Sequence, residues 1–209
     1  MKSIKLTLLI SCTLISTCCI AQKTTSKPRI TPAPDKMDAQ LLSALKEAPS
    51  QDKYPGAIAI HLLDLSDITI HEDGTWVEKN RQAFKLLSGN ARKLAEVNIP
   101  YNKSFQEITF EHAKTFQKSG KVLKVKDNEL MEYSPFSDFP LYDDAKGFGF
   151  SMPGVEDDSV IDYAYTLNDF ATPMKRQYWF RWSFDGQHPV VLSRLILRVS
   201  TKSKFQFRV

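Results

Sequence analysis

The sequence predicts a mainly β fold: an antiparallel β-sandwich with one short N-terminal helix. Three observations carry that expectation. About nine or ten short stretches show strand-like alternation or β-branched and aromatic richness, with Gly, Pro, Asn and Asp clusters between them. Only one stretch has convincing helical spacing. Finally, "VVLSRLILRVS" places Arg194, Ile196 and Arg198 on one face and Ser193, Leu195 and Leu197 on the other, as in a strand with one core face and one wet face.

From the N-terminus, Lys2 and Lys5 form a basic start, an apolar run follows, and Cys19 and Ala21 supply a small-x-small pattern. This is the layout of a secretory signal peptide, residues 1–21, cut after Ala21. The run is too short and too rich in Ser and Thr for a membrane-spanning helix, which needs about 20 apolar residues. A lipoprotein acylated at Cys18 or Cys19 is the less favoured alternative, because Thr17 and Cys18 fit poorly before such a site. Residues 22–35, "QKTTSKPRITPAPD", read as a flexible Pro/Thr-rich linker. Residues 36–53 hold the helix and its lead-out. Asp35 is its expected cap, Met37, Leu41, Leu42 and Leu45 form its apolar stripe, and Pro49 ends it.

Residues 54–209 form the expected sandwich domain. "AIAIHLLDL" is nearly continuous β-forming sequence. "DITIHEDGTWVEKNRQAFKLL" reads as a strand, a turn at Gly74 and a second strand. Further strands are expected at "KLAEVNIPY", "SFQEITFEHAKTF", "GKVLKVKD", "SVIDYAYTL", "RQYWFRWSF", "PVVLSRLILRV" and "KFQFRV". Residues 128–146 show no clear period and should form the longest loop.

The 3 cysteines of the sequence, Cys12, Cys18 and Cys19, all fall inside the signal. The mature chain is therefore expected to have no disulfide, thiolate metal site or cysteine nucleophile. Loss of Lys2 and Lys5 leaves 26 basic residues against 24 acidic ones. So balanced a surface argues against nucleic acid as a partner, which a concentrated basic face would attract.

The stretch "MPGVEDDSVIDYAY" raises two readings of one acidic cluster. In one, Glu156, Asp157, Asp158 and Asp162 ligate calcium, but the alternate spacing of a dedicated loop is missing. In the favoured reading, Pro153 and Gly154 set a tight turn, Asp157 and Asp158 bond local backbone, and Asp162 lies on the solvent face of a strand. No two of His61, His71, His112 and His188 have the spacing of a helical zinc pair. His61 reads as a hydrogen-bonded strand histidine, and His71 as a strand end whose neighbours Glu72 and Asp73 converge poorly with it. "SGN" and "SGK" read as strand-linking turns, and no serine sits in a nucleophile elbow. In "RQYWFRWSF", Tyr178, Phe180, Trp182 and Phe184 share the expected core face. Trp179 and Arg181 then become the candidate ligand or partner surface.

Several of these stretches together resemble the DUF3857 family, a domain of secreted or envelope bacterial proteins. Pro153, Gly154 and Val155 match its Pro-Gly-Val turn. Val160 to Tyr163 match the strand after it, and Phe136, Ser137 and Asp138 its Phe-Ser-Asp loop. Phe139 stands where a basic residue is frequent, and Asp158 where a glycine is frequent. The resemblance spans about residues 54–209. It implies a β-sandwich of unknown biochemical role, commonly upstream of a transglutaminase-like domain, with further strands following this point.

The resulting expectation is a non-catalytic, exported accessory or interaction module without cofactor or metal. Its partner is an envelope protein, peptide or glycan, and pairing through the C-terminal edge strand Phe205, Phe207 and Val209 is a further expectation. Two alternatives remain: the N-terminal part of a transglutaminase-like Cys-His-Asp acyl transferase or peptidase whose catalytic domain lies elsewhere, and a carbohydrate-binding module using Trp179. Intact-mass measurement of the exported protein should give a chain starting at Gln22 with no thiol. A retained signal, or diacylglycerol on Cys18 or Cys19, would contradict the expectation.

Overall fold

The nearly continuous β-forming stretch "AIAIHLLDL" becomes the strand on which the fold is assembled. β1 (Ala59–Ile70) pairs antiparallel with β2 (Trp76–Leu86) across the turn at Gly74, whose φ of 93° suits glycine. In that turn the His71 N–H donates to the Thr75 carbonyl, and Asp73 accepts from the Thr75 N–H and hydroxyl. The computed structural model describes residues 36–136, 144–173, 178, 180–184 and 186–200. The expected signal and linker, Asp35, Ser137, Asp138, Phe139, Trp179 and the strand with Phe205, Phe207 and Val209 lie outside the described residues.

The remaining elements are α1 (Ala39–Glu47), β3 (Glu96–Asn102), β4 (Gln106–Phe116), β5 (Val122–Lys124), β6 (Met131–Tyr133), β7 (Ala145–Ser151), β8 (Val160–Asp169) and β9 (Val190–Val199). They form a six-stranded sheet, β5-β4-β8-β2-β1-β9, and a three-stranded sheet, β3-β7-β6. Ala59, Leu86, Ala113 and Ile161 of the large sheet bury against Val97, Ile99 and Phe150 of the small one. On the outer face α1 drops Leu41 and Ala44 onto Ile60, Leu63 and Leu65. β1 is thus covered on both sides at its start, which explains why apolar residues stand there at consecutive positions, Ala59 with Ile60 and Leu62 with Leu63. No helix among the described residues is long and apolar enough to cross a membrane.

Two bulges set which residues face inward. In β1 the register shifts between His61 and Leu63, so Leu62 and Leu63 both join the helix-side core. In β4 the shift lies between Phe110 and His112, which keeps Phe110 and Ala113 inward and turns His112 outward beside β8.

Several expectations need correction. The helix cap is Asp38, whose carboxylate accepts the Leu41 N–H at 2.8 Å. The sandwich is mainly antiparallel, but β9 runs parallel to β1; residues 170–189 give the length that a parallel neighbour requires. β9 is an edge strand among the described residues and is half-buried throughout, so it lacks a clean core face. "RQYWFRWSF" carries no strand at its described residues. The expected long loop at 128–146 contains β6 and the start of β7. β7 escaped notice because Gly147 and Gly149 dilute its alternation; a Cβ on Gly147 would stand 2.6 Å from the Tyr133 ring.

Asp162 is the main correction: it is 2% exposed and not on a solvent face. Arg81 grips it twice, Nε to Oδ1 at 2.8 Å and Nη2 to Oδ2 at 3.0 Å, and His112 Nε2 lies 3.2 Å from Oδ2. The remaining Arg81 nitrogen, Nη1, donates to Asp38 Oδ2 at 2.6 Å, tying the helix cap to the sheet. Burial pushes the Asp162 carboxyl upward, but hydrogen bonds and charge from His112 and Arg81 outweigh it and hold its pKa below the usual value. Asp38 is likewise held low by the Leu41 N–H and Arg81, against the upward pull of its burial.

Two predictions follow from these contacts. Both carboxyls have folded pKa values below the unfolded value, so their stabilisation is full above about pH 4 and is lost as pH falls through the folded values. Asp162→Asn should cost about 3 kcal/mol in denaturant unfolding, because it leaves the half-buried Arg81 charge paired only with the more exposed Asp38. It should also flatten the acid limb of the stability–pH curve. An unchanged acid limb would show that the pair does not carry this linkage. Separately, Asp158 has φ of 67°, in the left-handed region. Asp158→Ala should therefore unfold about 1 kcal/mol more easily than Asp158→Gly, since both lose the carboxylate but only alanine retains the strain.

Candidate binding cleft between the sheets

The small sheet covers only part of the inner face of the large one. Beyond the apolar core the inner face turns polar along β1 and β2. His61 Nε2 donates to Gln82 Oε1 at 2.7 Å, and the Gln82 amide donates to Asp64 at 2.8 Å and to Asn80 at 3.1 Å. Ser193 of β9 donates to Asp64 at 3.1 Å. Ser66 donates to Glu78 at 2.6 Å. Neither Asp64 nor Glu78 forms an ion pair among the described residues. The His61 ring stacks on Phe84, centroids 4.1 Å apart. Burial lowers its pKa, against the opposing charge of Asp64 and the hydrogen bond to Gln82, so it serves as a neutral member of the ladder. This fits the hydrogen-bonded strand histidine expected from sequence.

Beside this ladder lies a cleft of about 330 Å³. Asn80, Gln82 and Phe84 of β2 and Tyr163 and Tyr165 of β8 line one side, and β3 lines the other. Burial, with the charge of Asp64, pushes the Tyr163 hydroxyl up to about 12, and burial with nearby Glu78 raises Tyr165 as well. Both phenols remain protonated donors at neutral pH. Aromatic faces, phenolic hydroxyls and anchored amides form a surface suited to peptide or sugar groups.

A second hollow, about 340 Å³, lies on the outer face. Sheet register aligns His112, Ala164, Arg81, Leu65 and Arg194 across five strands, with small Ala164 between larger neighbours. Here Arg81 and His112 are already committed to Asp162, and Glu111 accepts from Thr166 at 2.9 Å. A third, about 450 Å³, opens at Tyr101, Lys103 and Glu132, with exposed Met131 and Phe170 on its rim.

The acidic cluster resolves as a turn. Gly154 has φ of 60°, and its place against Leu123 leaves no room for a Cβ. The Ser159 N–H donates to the Glu156 carbonyl, and Ser159 Oγ accepts the Glu156 N–H. The carboxylates diverge: Asp158 turns to Lys118 at 2.9 Å and Lys85 at 3.7 Å, while Asp162 faces Arg81. Asp158 thus pairs with lysines rather than the local backbone expected for it. No group of three or more His, Cys, Asp or Glu among the described residues is placed to hold a metal. Arg181 is exposed, and Tyr178 packs edge-on against Trp76 at 5.7 Å. Sequence reasoning did not single out the cleft residues Asn80, Gln82, Tyr163 and Tyr165. The available signal was amides at inward positions of a central strand, Asn80 and Gln82, where apolar side chains are usual.

The sequence profile of DUF3857, described as a domain of unknown function with solved structure, matches residues 72–209. No curated protein matches the chain. Among solved structures, the fold is similar to one described as "a putative protease" from Parabacteroides distasonis, with 25% identity and a TM-score of 0.52. The alignment covers 55% of this chain and 24% of that one, so this chain spans about a quarter of that protein's length. The profile match begins inside the β1–β2 turn and takes in the Pro-Gly-Val turn, the three cleft-lining strands β2, β3 and β8 and the clamp from Arg81 to Asp162, and on that ground the chain belongs to the DUF3857 family.

Proposed function

We propose that this protein is an exported, non-catalytic recognition module whose inter-sheet cleft binds a peptide or glycan of the cell envelope. The observation that carries the reading is the chemistry of the cleft: two phenols, the Phe84 ring and two amides fixed by hydrogen bonds to a polar ladder. Such groups recognise; they do not supply a nucleophile with an activating base. Ser66, the ladder's buried hydroxyl, donates to Glu78 from a position 2% exposed and has no approach for a substrate. The mature chain, read as starting at Gln22, has no cysteine for acyl transfer.

The likeness to a solved structure described as a putative protease supports a related reading, in which this domain accompanies a catalytic domain and presents its substrate. The transglutaminase-like alternative takes that form: the chemistry belongs to another domain, and recognition belongs to this one.

Titration calorimetry of the exported chain against envelope peptides and peptidoglycan fragments should show binding at micromolar concentrations. Alanine at Lys93, exposed on the cleft rim, should alter the affinity by about tenfold or less. The same preparation should release no product from peptidase, amidase or transglutaminase substrates. Turnover that is lost on substitution of His61 or Ser66 would overturn the reading.

A further inference from the structure

Among the described residues, β3 is the edge of the small sheet, bonded to β7 on one side only. Its hydrogen-bonding phase can be read from its ends. The Met152 N–H donates to the Ala95 carbonyl, and the Lys103 N–H to the Asp144 carbonyl, on the same register that pairs Glu96 with Ser151. Odd-numbered residues of β3 therefore face β7, and even-numbered ones turn their N–H and C=O groups outward. Two observations agree. The Asn102 N–H leaves the ladder for Gln106 Oε1 at 2.9 Å. Pro100, which has no N–H, occupies an outward position, where a proline costs the sheet no bond. The outward edge thus presents N–H groups at Glu96 and Asn98 and carbonyls at Glu96, Asn98 and Pro100. This edge borders the cleft, since residues 96–100 line it opposite Asn80, Gln82, Tyr163 and Tyr165.

We infer that the cleft takes an extended peptide as a fourth strand of the small sheet, added beside β3. The inference rests on the recognition role proposed for the cleft and specifies its ligand and mode. Main-chain bonds to Glu96 and Asn98 supply affinity, and alternate side chains of the peptide point into the cleft. The outward edge from Glu96 to Pro100 spans about 13 Å, room for a segment of about five residues. Charge selects the inward side chains. The floor amides are held by Asp64 and Glu78, carboxylates without an ion-pair partner among the described residues, so a basic side chain is favoured over an acidic one. A glycan offers neither the donor–acceptor repeat of a strand nor a cation in this position.

The test uses the full exported chain and two capped pentapeptides, Thr-Lys-Thr-Lys-Thr and Thr-Glu-Thr-Glu-Thr, with peptidoglycan disaccharide as a third probe. The lysine peptide should bind at least tenfold more tightly than the glutamate peptide. Asn98→Pro removes one outward donor and leaves the β7 pairing intact, so it should weaken binding at least tenfold with an unchanged melting temperature. Asn98→Ala, which keeps the N–H, should change binding less than threefold. A peptide N-methylated at alternate amides should lose binding to the unaltered protein in one phase of methylation and retain it in the other, which keeps the test independent of the variant's folding. Peptide binding indifferent to Asn98→Pro and to both methylation phases would overturn strand addition while leaving the recognition role standing. Disaccharide binding with no peptide binding would do the same. No binding of any probe would overturn both.

Discussion

The buried carboxylate of Asp162, held between the Arg81 guanidinium and the His112 imidazole, is the constraint from which much of the remaining geometry follows. β8 lies between β4 and β2 in the large sheet, and Asp162 is its outward residue at the point where both neighbours contribute a partner. A one-residue slip of β8 would bury the wrong face and break the bonds that Arg81 and His112 make to Asp162. The same lock therefore holds Ile161 in the core and Tyr163 and Tyr165 in the cleft. Through Asp38 it also fixes the start of α1, so the outer layer and the inner surface share one anchor. The cost of burying an ionised group is offset because both carboxylate oxygens are engaged, Oδ1 by Arg81 and Oδ2 by Arg81 and His112.

How much of this could be read from sequence depended on whether the signal was local. The Gly74 hairpin, the turn at Pro153 and Gly154, and His61 as a strand residue were legible, because turn residues and alternation speak for themselves over a few positions. The family was legible from its short motifs, although the match begins at residue 72, later than the motif reading suggested. Asp162 was misread because an acid in an alternating strand looks solvent-facing until its partner, 81 residues earlier, is known. The bulge in β4 that turns His112 toward it leaves no mark in a pattern of period two. β7 was hidden by glycines whose purpose, making room for Tyr133, lies on another strand. The parallel pairing of β9 was likewise invisible, since alternation does not encode direction. Asp158 shows the reverse: its departure from the family's glycine marked a real feature, a left-handed backbone held beside two lysines.

Three hollows among the described residues differ in what their side chains are free to do. On the outer face the strongest polar groups are spent on the clamp, so ligand binding there would compete with the fold itself. The hollow at Tyr101 and Glu132 is closed on itself by their mutual hydrogen bond and by Lys103. In the inter-sheet cleft the ladder leaves phenols, an aromatic face and a strand edge presented but not consumed. The proposal of a recognition surface rests on that difference, and it places function on the inner face and stability on the outer one.

Amide NMR of the protein during titration with the lysine pentapeptide separates the two faces directly. The account expects shifts concentrated at Asn80, Gln82, Glu96, Asn98, Tyr163 and Tyr165, with Lys79, His112 and Arg194 unmoved. Shifts centred on that outer row, with the β3 edge silent, would contradict it.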